Sequence, residues 1–376
     1  MAKNSIELRK KRYFELISQI AQLDNAQLRS LIDDNELNPS SSGWGINRVI
    51  VLGQSKVFVK SIPVTNIEYE NLFSTRNLYN LPTYLNYGIG CSTGFGVFRE
   101  LVTHIKTTIW VLEGAIATFP LMYHYRIIPF SRQRADVDSE HLKAYVEYWG
   151  NSANAGNYLL DKASADYELI LFLEYIPHVL ETWLHENPNK LQQSLDDLRT
   201  TIDFLRKKGI IHFDAHFRNA LTDGEQTYLT DFGLVLDKSF ALTKEEESFF
   251  EQNVFYDYGE ILRNLGHLIR PFYDSRSEND KGRIIEKYGI KEGLPPHELR
   301  SRLLDNIEQI HADGDMKLDD FYVASIVKYR RIVTLMQNFF VDMYGNNMKD
   351  TKFSDLELRK LLQETGFLSD AVFYSG

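Results

Sequence analysis

Ile210 to Asp237 reads IIHFDAHFRNALTDGEQTYLTDFGLVLD, and the reading of the whole chain turns on it. Three short apolar runs, Ile210-Ile211, Ala220-Leu221 and Tyr228-Leu229, alternate with polar residues. Runs of two or three apolar residues bounded by turn formers predict short buried strands. Asp223-Gly224 between the second and third is a turn signal. Asp214, Asn219 and Asp231 each follow or border such a run, so the strands would hold them near one another. Two oxygen donors, Asn219 and Asp231, suit a hard cation such as Mg²⁺, which takes a few protein oxygens and completes its shell with phosphate and water. Asp214, outside that pair, is free to orient a hydroxyl or to accept its proton. An ordinary Asp ionises near pH 3.9 and needs no tuning to be a carboxylate at neutral pH. Phosphoryl transfer asks for this division of labour, positioning and charge neutralisation with little covalent chemistry.

Outward from this stretch, the composition is that of an ordinary globular chain. The 376 residues are 43% hydrophobic and 25% charged, which excludes a wholly disordered or fibrous protein. Lys and Arg number 42 against 52 Asp and Glu, a net charge of −10 with pI ≈ 5.5. No general basic footprint for nucleic acid is present. Cys91 is the single cysteine, so no intrachain disulfide can form, and no Cys/His cluster has zinc spacing. The N-terminal MAKNSIELRKKRYFEL lacks the apolar core of a signal peptide. The most apolar window, Ile109 to Phe130, is broken by Glu113, Pro120, His124 and Arg126. It reads as buried helix or strand and not as a membrane span. A cytoplasmic setting is the expectation; a chain exported without a signal peptide would read the same.

Residues 5 to 35 read as one or two amphipathic helices, with Ile6, Leu8, Tyr13, Leu16, Ile17 and Ile20 mostly on one face and Arg9-Lys10-Lys11-Arg12 as solvated charge. Asn38 to Gly43 breaks that pattern. Arg48 to Leu52 and Lys56 to Ile62 flank Gly53-Gln54-Ser55 and predict a hairpin. Glu68 to Leu81 reads as a helix contacting the core through Leu72, Phe73 and Leu78. Residues 94 to 102 read as a strand, followed by a helix to about Gly114. Tyr167 to Ile176, ended by Pro177, reads as a buried strand, and Asn189 to Lys208 as a helix stopped by Gly209. Helical periodicity dominates from about Tyr256 onward, with the aromatics of 321 to 344 in the core. The class is α+β, with 1–40 a helical extension, 41–176 a β-rich part carrying an insertion around 103–165, and 177–376 a helical part.

At this point the chain resembles the protein-kinase-like superfamily. His212-x-Asp214-x-x-x-x-Asn219 is similar to that superfamily's catalytic loop, and Asp231-Phe232-Gly233 to its metal motif. Six fixed residues at about 5% usage arise by chance on the order of 10⁻⁵ times in a chain of this length. The resemblance implies a bilobal fold with a small β-rich N-lobe and a larger helical C-lobe, and ATP bound between the lobes with Mg²⁺. It implies that Asp214 is the catalytic residue and that Asn219 and Asp231 hold the metal. Val57-Phe58-Val59-Lys60 resembles the strand lysine motif, so Lys60 would reach the phosphates. Its implied ion-pair partner is Glu70, with Glu68 the near rival. Leu173 to Pro177 resembles the hinge, where the backbone of Glu174 and Ile176 would hydrogen-bond adenine. Ser41-Ser42-Gly43-Trp44-Gly45, with Gly43 and Gly45, is a partial match to the phosphate-covering loop. Gly88-x-Gly90-x-x-x-Gly94-x-Gly96 falls after Lys60, in the wrong order for that task, and reads as structural. His212 would be a hydrogen-bonded buttress, and Asp257 the buried aspartate that braces the catalytic loop.

The departures point to a branch. His216 stands where eukaryotic protein kinases usually carry Lys, as in aminoglycoside phosphotransferases and choline-kinase-like enzymes; it contacts substrate or is structural. The stretch from Asp231 to Asp257 is short and lacks Ala-Pro-Glu, although Phe232 is the aromatic common in protein kinases. The expectation is an ATP-dependent kinase acting on a hydroxyl of a small molecule or a protein. The alternatives are a catalytically silent nucleotide-binding module and an AMP transferase on the same fold.

Overall fold

The computed structural model describes residues 2–34, 37–42, 45–90, 92, 94–130 and 137–368. It is a mixed α+β structure built on one five-stranded antiparallel sheet and a large helical remainder. The sheet comprises β1 (Leu37–Ser42), β2 (Gly45–Leu52), β3 (Ser55–Val64), β4 (Met122–Pro129) and β5 (Tyr167–Glu174), in the order β1-β2-β3-β5-β4. β2 and β3 form the predicted hairpin, with Leu52 opposite Ser55. Gly53 takes φ 60° at the first central position of that two-residue loop, a conformation glycine adopts without a Cβ penalty. The Asn38–Ser42 stretch, expected to be irregular, is strand β1. It lies at the sheet edge and shifts register between Leu37 and Ser40, the setting in which Pro39 removes no ladder bond the sheet needs.

The helices before β5 are α1 (Ala2–Ala21), α2 (Asn25–Asp34), α3 (Asn66–Glu70), α4 (Val97–Glu113), α5 (Ser139–Tyr148) and α6 (Ala153–Ala163). β5 explains its own composition. Ile170 and Phe172 share a cluster with Leu16, Ile20, Leu28 and Ile32 of α1 and α2. Leu169, Leu171 and Leu173 cluster with Val97, Phe98 and Leu101 of α4. A strand covered on both faces reads as a continuous apolar run. The 103–165 segment, read as an insertion, contains most of α4 and the sheet strand β4, so much of it is integral to this packing.

Two local expectations fail for physical reasons. Glu68 to Leu81 is not a helix: α3 stops at Glu70, Phe73 and Asn80 have positive φ, and Leu72 and Phe73 are about half exposed. The Asn77 side chain bonds both the N–H and the C=O of Leu81, and such local side-chain bonds compete with helix formation. Residues 97 to 102 are the first turns of α4, not a strand. Val97, Leu101, His104, Thr108 and Val111 are buried at helical spacing, and Gly114 ends the helix as expected.

After β5 come β6 (His178–Val179), α7 (Leu180–Glu186), α8 (Leu191–Lys207), β7 (Ile210–Ile211), β8 (Ala220–Thr222), β9 (Thr227–Leu229), β10 (Leu236–Asp237), α9 (Lys244–Glu251) and α10 (Tyr256–Leu265). The three predicted short strands are β7, β8 and β9. β7 pairs with β10, and β8 lies between β6 and β9. α10 is buried throughout and packs on the long helix Asp320–Phe340. Tyr87 fixes the segment between α3 and α4 to this helical part. Its ring meets Phe213, Phe249, Tyr256, Phe339 and Phe353, and its hydroxyl donates to Asn253. Among the described residues no helix is long and apolar enough to cross a membrane.

Candidate functional site

A cavity of about 330 Å³ lies between the large sheet and the β7–β9 region. Asn47 and Val49 of β2, Phe58 and Lys60 of β3, Leu173 to Pro177, and Arg218, Asn219, Leu221, Thr230 and Asp231 line it. Strand alternation puts Lys60 on the face of β3 that carries Phe58, Ile62 and Val64, so its ammonium projects between apolar neighbours.

Lys60 Nζ lies 2.8 Å from Asp231 Oδ1 and 2.7 Å from Glu100 Oε1. The partner on the helix side is therefore Glu100 of α4, not Glu70. Glu70 is exposed at the end of the short α3. Glu68, the near rival, is buried but committed elsewhere: it closes a capping box with Thr65 and accepts from the Val97 N–H and the Tyr158 hydroxyl. α4 presents its carboxylate because it packs on the face of β3 that carries Lys60, against Ile62 and Val64. Burial alone would lower the Lys60 pKa, but the Asp231 and Glu100 charges outweigh it and raise it. Burial likewise pushes Asp231 up, yet the Lys60 charge and hydrogen bond dominate and hold its carboxyl at about 2. The Asp231 side chain stays 43% exposed to the cleft.

Asp231 and Phe213 both have left-handed backbones, φ 65° and 63°, a conformation that costs a non-glycine residue on the order of 1–2 kcal/mol and persists where surroundings enforce it. Asp257 of α10 supplies the enforcement at Phe213. Its carboxylate accepts from the N–H groups of His212 (2.7 Å) and Phe213 (2.8 Å). His212 is fully buried, its Nε2 faces the Thr230 carbonyl at 3.1 Å and its Nδ1 accepts from the Asp214 N–H. These partners define a neutral ring with its proton on Nε2. Burial lowers its pKa to about 4.

Asn219 joins the two aspartates. Its amide nitrogen donates to Asp214 Oδ2 at 2.7 Å, and its carbonyl accepts from the Thr230 N–H next to Asp231. His216 accepts from the Asn219 N–H through Nδ1, which leaves its Nε2 3.4 Å from Asp214 Oδ1. Burial raises the Asp214 pKa against the pull of His216, making it a better proton acceptor than a solvated aspartate. Gly88, outside every expected site residue, closes over this group. A Cβ there would lie 2.7 Å from Asp214 Oδ1, and its φ is 64°. Gly94, of the same glycine-rich segment, packs as closely on the Gly233 carbonyl.

At the cleft's other end the Glu174 N–H is taken by the Leu121 carbonyl, which leaves the Glu174 carbonyl as the backbone group that could meet adenine. Ile176 lines the cavity, and among the described residues its N–H has no acceptor. Gly45 opens β2, while Gly43 lies outside the described residues. The donor set suits a divalent cation held partly by phosphate. The Asp231 carboxylate faces the cleft, and among the described residues the Asn219 amide oxygen takes no hydrogen bond. Among the described residues no group of three or more His, Cys, Asp or Glu side chains could hold a metal by itself, so a cation here would rely on phosphate and water as Mg²⁺ does. Glu100, Gly88 and His104, whose ring stands edge-on to Phe232, were missed in sequence. The usable signal was the helical spacing of 97–111 closed by Gly114. No protein-family model and no curated protein sequence matches this chain.

Proposed function

We propose that the chain is an ATP-dependent phosphotransferase of the protein-kinase-like superfamily, with a bilobal fold and the nucleotide between the sheet and the helical part. The observation that carries this reading is that Lys60, Asn219 and Asp231 line one cleft, with Glu100 bonded to Lys60 and Asp214 bonded to Asn219. They come from four separate stretches of chain, and their chemistry is that of phosphate positioning. Lys60 would bind phosphate oxygens, and the Ile176 N–H would face adenine beside Val49, Phe58 and Leu221. Asn219 and Asp231 would hold Mg²⁺, which when bound neutralises phosphate charge. Asp214 orients the acceptor hydroxyl and takes its proton as the oxygen–phosphorus bond forms and ADP leaves. Histidine at 216 and the short stretch after Asp231 favour kinship with small-molecule phosphotransferases.

The test is incubation with γ-labelled ATP, Mg²⁺ and a cell lysate, with products split into small-molecule and protein fractions. Label from wild type that is absent with Asp231→Ala supports the reading. Adenylate in place of phosphate on the product would select AMP transfer, and Mg·ATP binding without any product would select a binding module.

A further inference from the structure

Arg9 was read as one of four solvated charges on the first helix, but it is 6% exposed. It lies on the inner stripe of α1 with Tyr13, Leu16 and Ile20, and its guanidinium, outside the cavity lining, bonds Glu174, which lines it. Nε and Nη2 form a fork on the Glu174 carboxylate at 2.7 to 3.1 Å. Nη1 donates to the Ala117 carbonyl at 2.7 Å and Nη2 to the Phe119 carbonyl at 2.6 Å. The guanidinium carbon stands 5.0 Å from the centre of the Tyr228 ring. Glu174 is tied in turn to Leu121, through Oε2 to its N–H and through its own N–H to its carbonyl.

These contacts hold two walls of the cavity together. Glu174 leads into Tyr175-Ile176-Pro177, and the 117–121 loop carries Pro120, which also lines the cavity. One planar, five-donor group therefore fixes the spacing of both walls, a task the point charge of a lysine cannot perform. We infer that Arg9 is a positioning residue for the nucleotide and that helix α1 is a working part of the nucleotide site. The inference rests on the nucleotide reading of the cleft.

The structure contains its own control. Arg29 of α2 makes a similar, half-buried pair with Glu168 at 2.6 Å and donates to the Pro129 carbonyl. Glu168 stands at the other end of β5, about 20 Å from Glu174 at 3.3 Å per residue, and does not line the cavity. Arg9→Ala and Arg29→Ala each leave a buried carboxylate, Glu174 or Glu168, without its cation and should both lower thermal stability. Only Arg9→Ala should change nucleotide affinity.

Calorimetric titration with Mg·ATP, at a temperature where circular dichroism shows all proteins folded, compares them with wild type. The dissociation constant should rise on the order of tenfold in Arg9→Ala and stay unchanged in Arg29→Ala, and in turnover the change should fall on KM for ATP and not on kcat. Wild-type affinity in Arg9→Ala, or equal losses in both variants, overturns the inference. If Arg9→Ala does not fold, Glu174→Gln keeps the guanidinium's carbonyl contacts and should weaken binding by a factor of about three; unchanged affinity there also overturns it. Wild type that binds no Mg·ATP removes the nucleotide reading and the inference together, whereas equal binding by wild type and Arg9→Ala removes the inference alone.

Discussion

Glu100 Oε1 accepts from Lys60 Nζ at 2.7 Å across a gap of 40 residues, and Asp231 completes the bridge at 2.8 Å. The arrangement ranks the glutamates of this region. Glu100→Gln keeps the size of the side chain and removes the charge that steadies Lys60. Turnover should fall on the order of 10²-fold, the scale of a misplaced reacting group. Glu70→Gln should match wild type. Steady-state kinetics on both variants checks this; a loss in Glu70→Gln with a wild-type rate in Glu100→Gln would return the pairing to Glu70.

Asp214 holds the acceptor end. Asp214→Asn preserves shape and removes the proton acceptor, so turnover should fall by about 10² to 10⁴. Mg·ATP binding, measured by thermal shift, should persist. Full turnover in this variant would exclude Asp214 from proton transfer.

Gly88 bears directly on that carboxylate. In Gly88→Ala the new methyl would sit 2.7 Å from Asp214 Oδ1 on a backbone at φ 64°. The left-handed conformation alone costs about 1–2 kcal/mol, so denaturant unfolding should show a loss of at least that size. Relief of the clash must also move Asp214 or the loop, and turnover should drop while nucleotide affinity holds. A variant with wild-type stability and rate would mean the loop moves aside freely.

The pH dependence follows from His212 and Asp231. The folded pKa of His212, about 4, lies below its usual value near 6.5. Between these values the unfolded chain binds the extra proton, so the His212 contribution to stability is complete above pH 6.5 and is lost as pH falls through 4. Asp231 is depressed to about 2, so its contribution is complete above the ordinary carboxylate value near 4 and disappears as pH falls through 2. Nuclear magnetic resonance titration should find His212 neutral at pH 5.5; a charged ring there would contradict its bonding to the Asp214 N–H and the Thr230 carbonyl.

Arg99 and Glu246 form a buried pair at 2.7 Å between α4 and α9, each side chain 1% exposed. Glu246→Ala leaves a buried, uncompensated guanidinium and should cost about 3–5 kcal/mol in unfolding free energy. Replacing both partners, Arg99→Met with Glu246→Leu, should recover most of it. If the double variant is no better than the single one, the pair holds α4 by shape and not by charge.

Much of this fold is legible in the sequence where one local signal dominates. The β2–β3 hairpin follows from Gly53 and its flanking strands, β5 from its apolar run, and β7 to β9 from the short runs around Asp214 and Asp231. Asp214, Asn219 and Asp231 meet because those strands are short and their turns tight. Glu100 was hidden because β-branched residues in 94–102 read as strand, while packing of 97–111 against the sheet makes the helix. Arg9 was hidden because its neighbours Lys10, Lys11 and Arg12 are charged, and only the 9-13-16-20 spacing marks it as inward. Gly88 and the Glu174 side chain depend on contacts more than a hundred residues distant, for which no local pattern exists.

Calorimetric titration of Mg·ATP into wild type, Lys60→Ala and Asp231→Ala tests the assignment of the cleft most directly. Wild type should bind with one site per chain, and each variant should lose affinity by an order of magnitude or more. A wild-type protein that takes up no nucleotide, or variants that bind as wild type does, would contradict the assignment of the cleft.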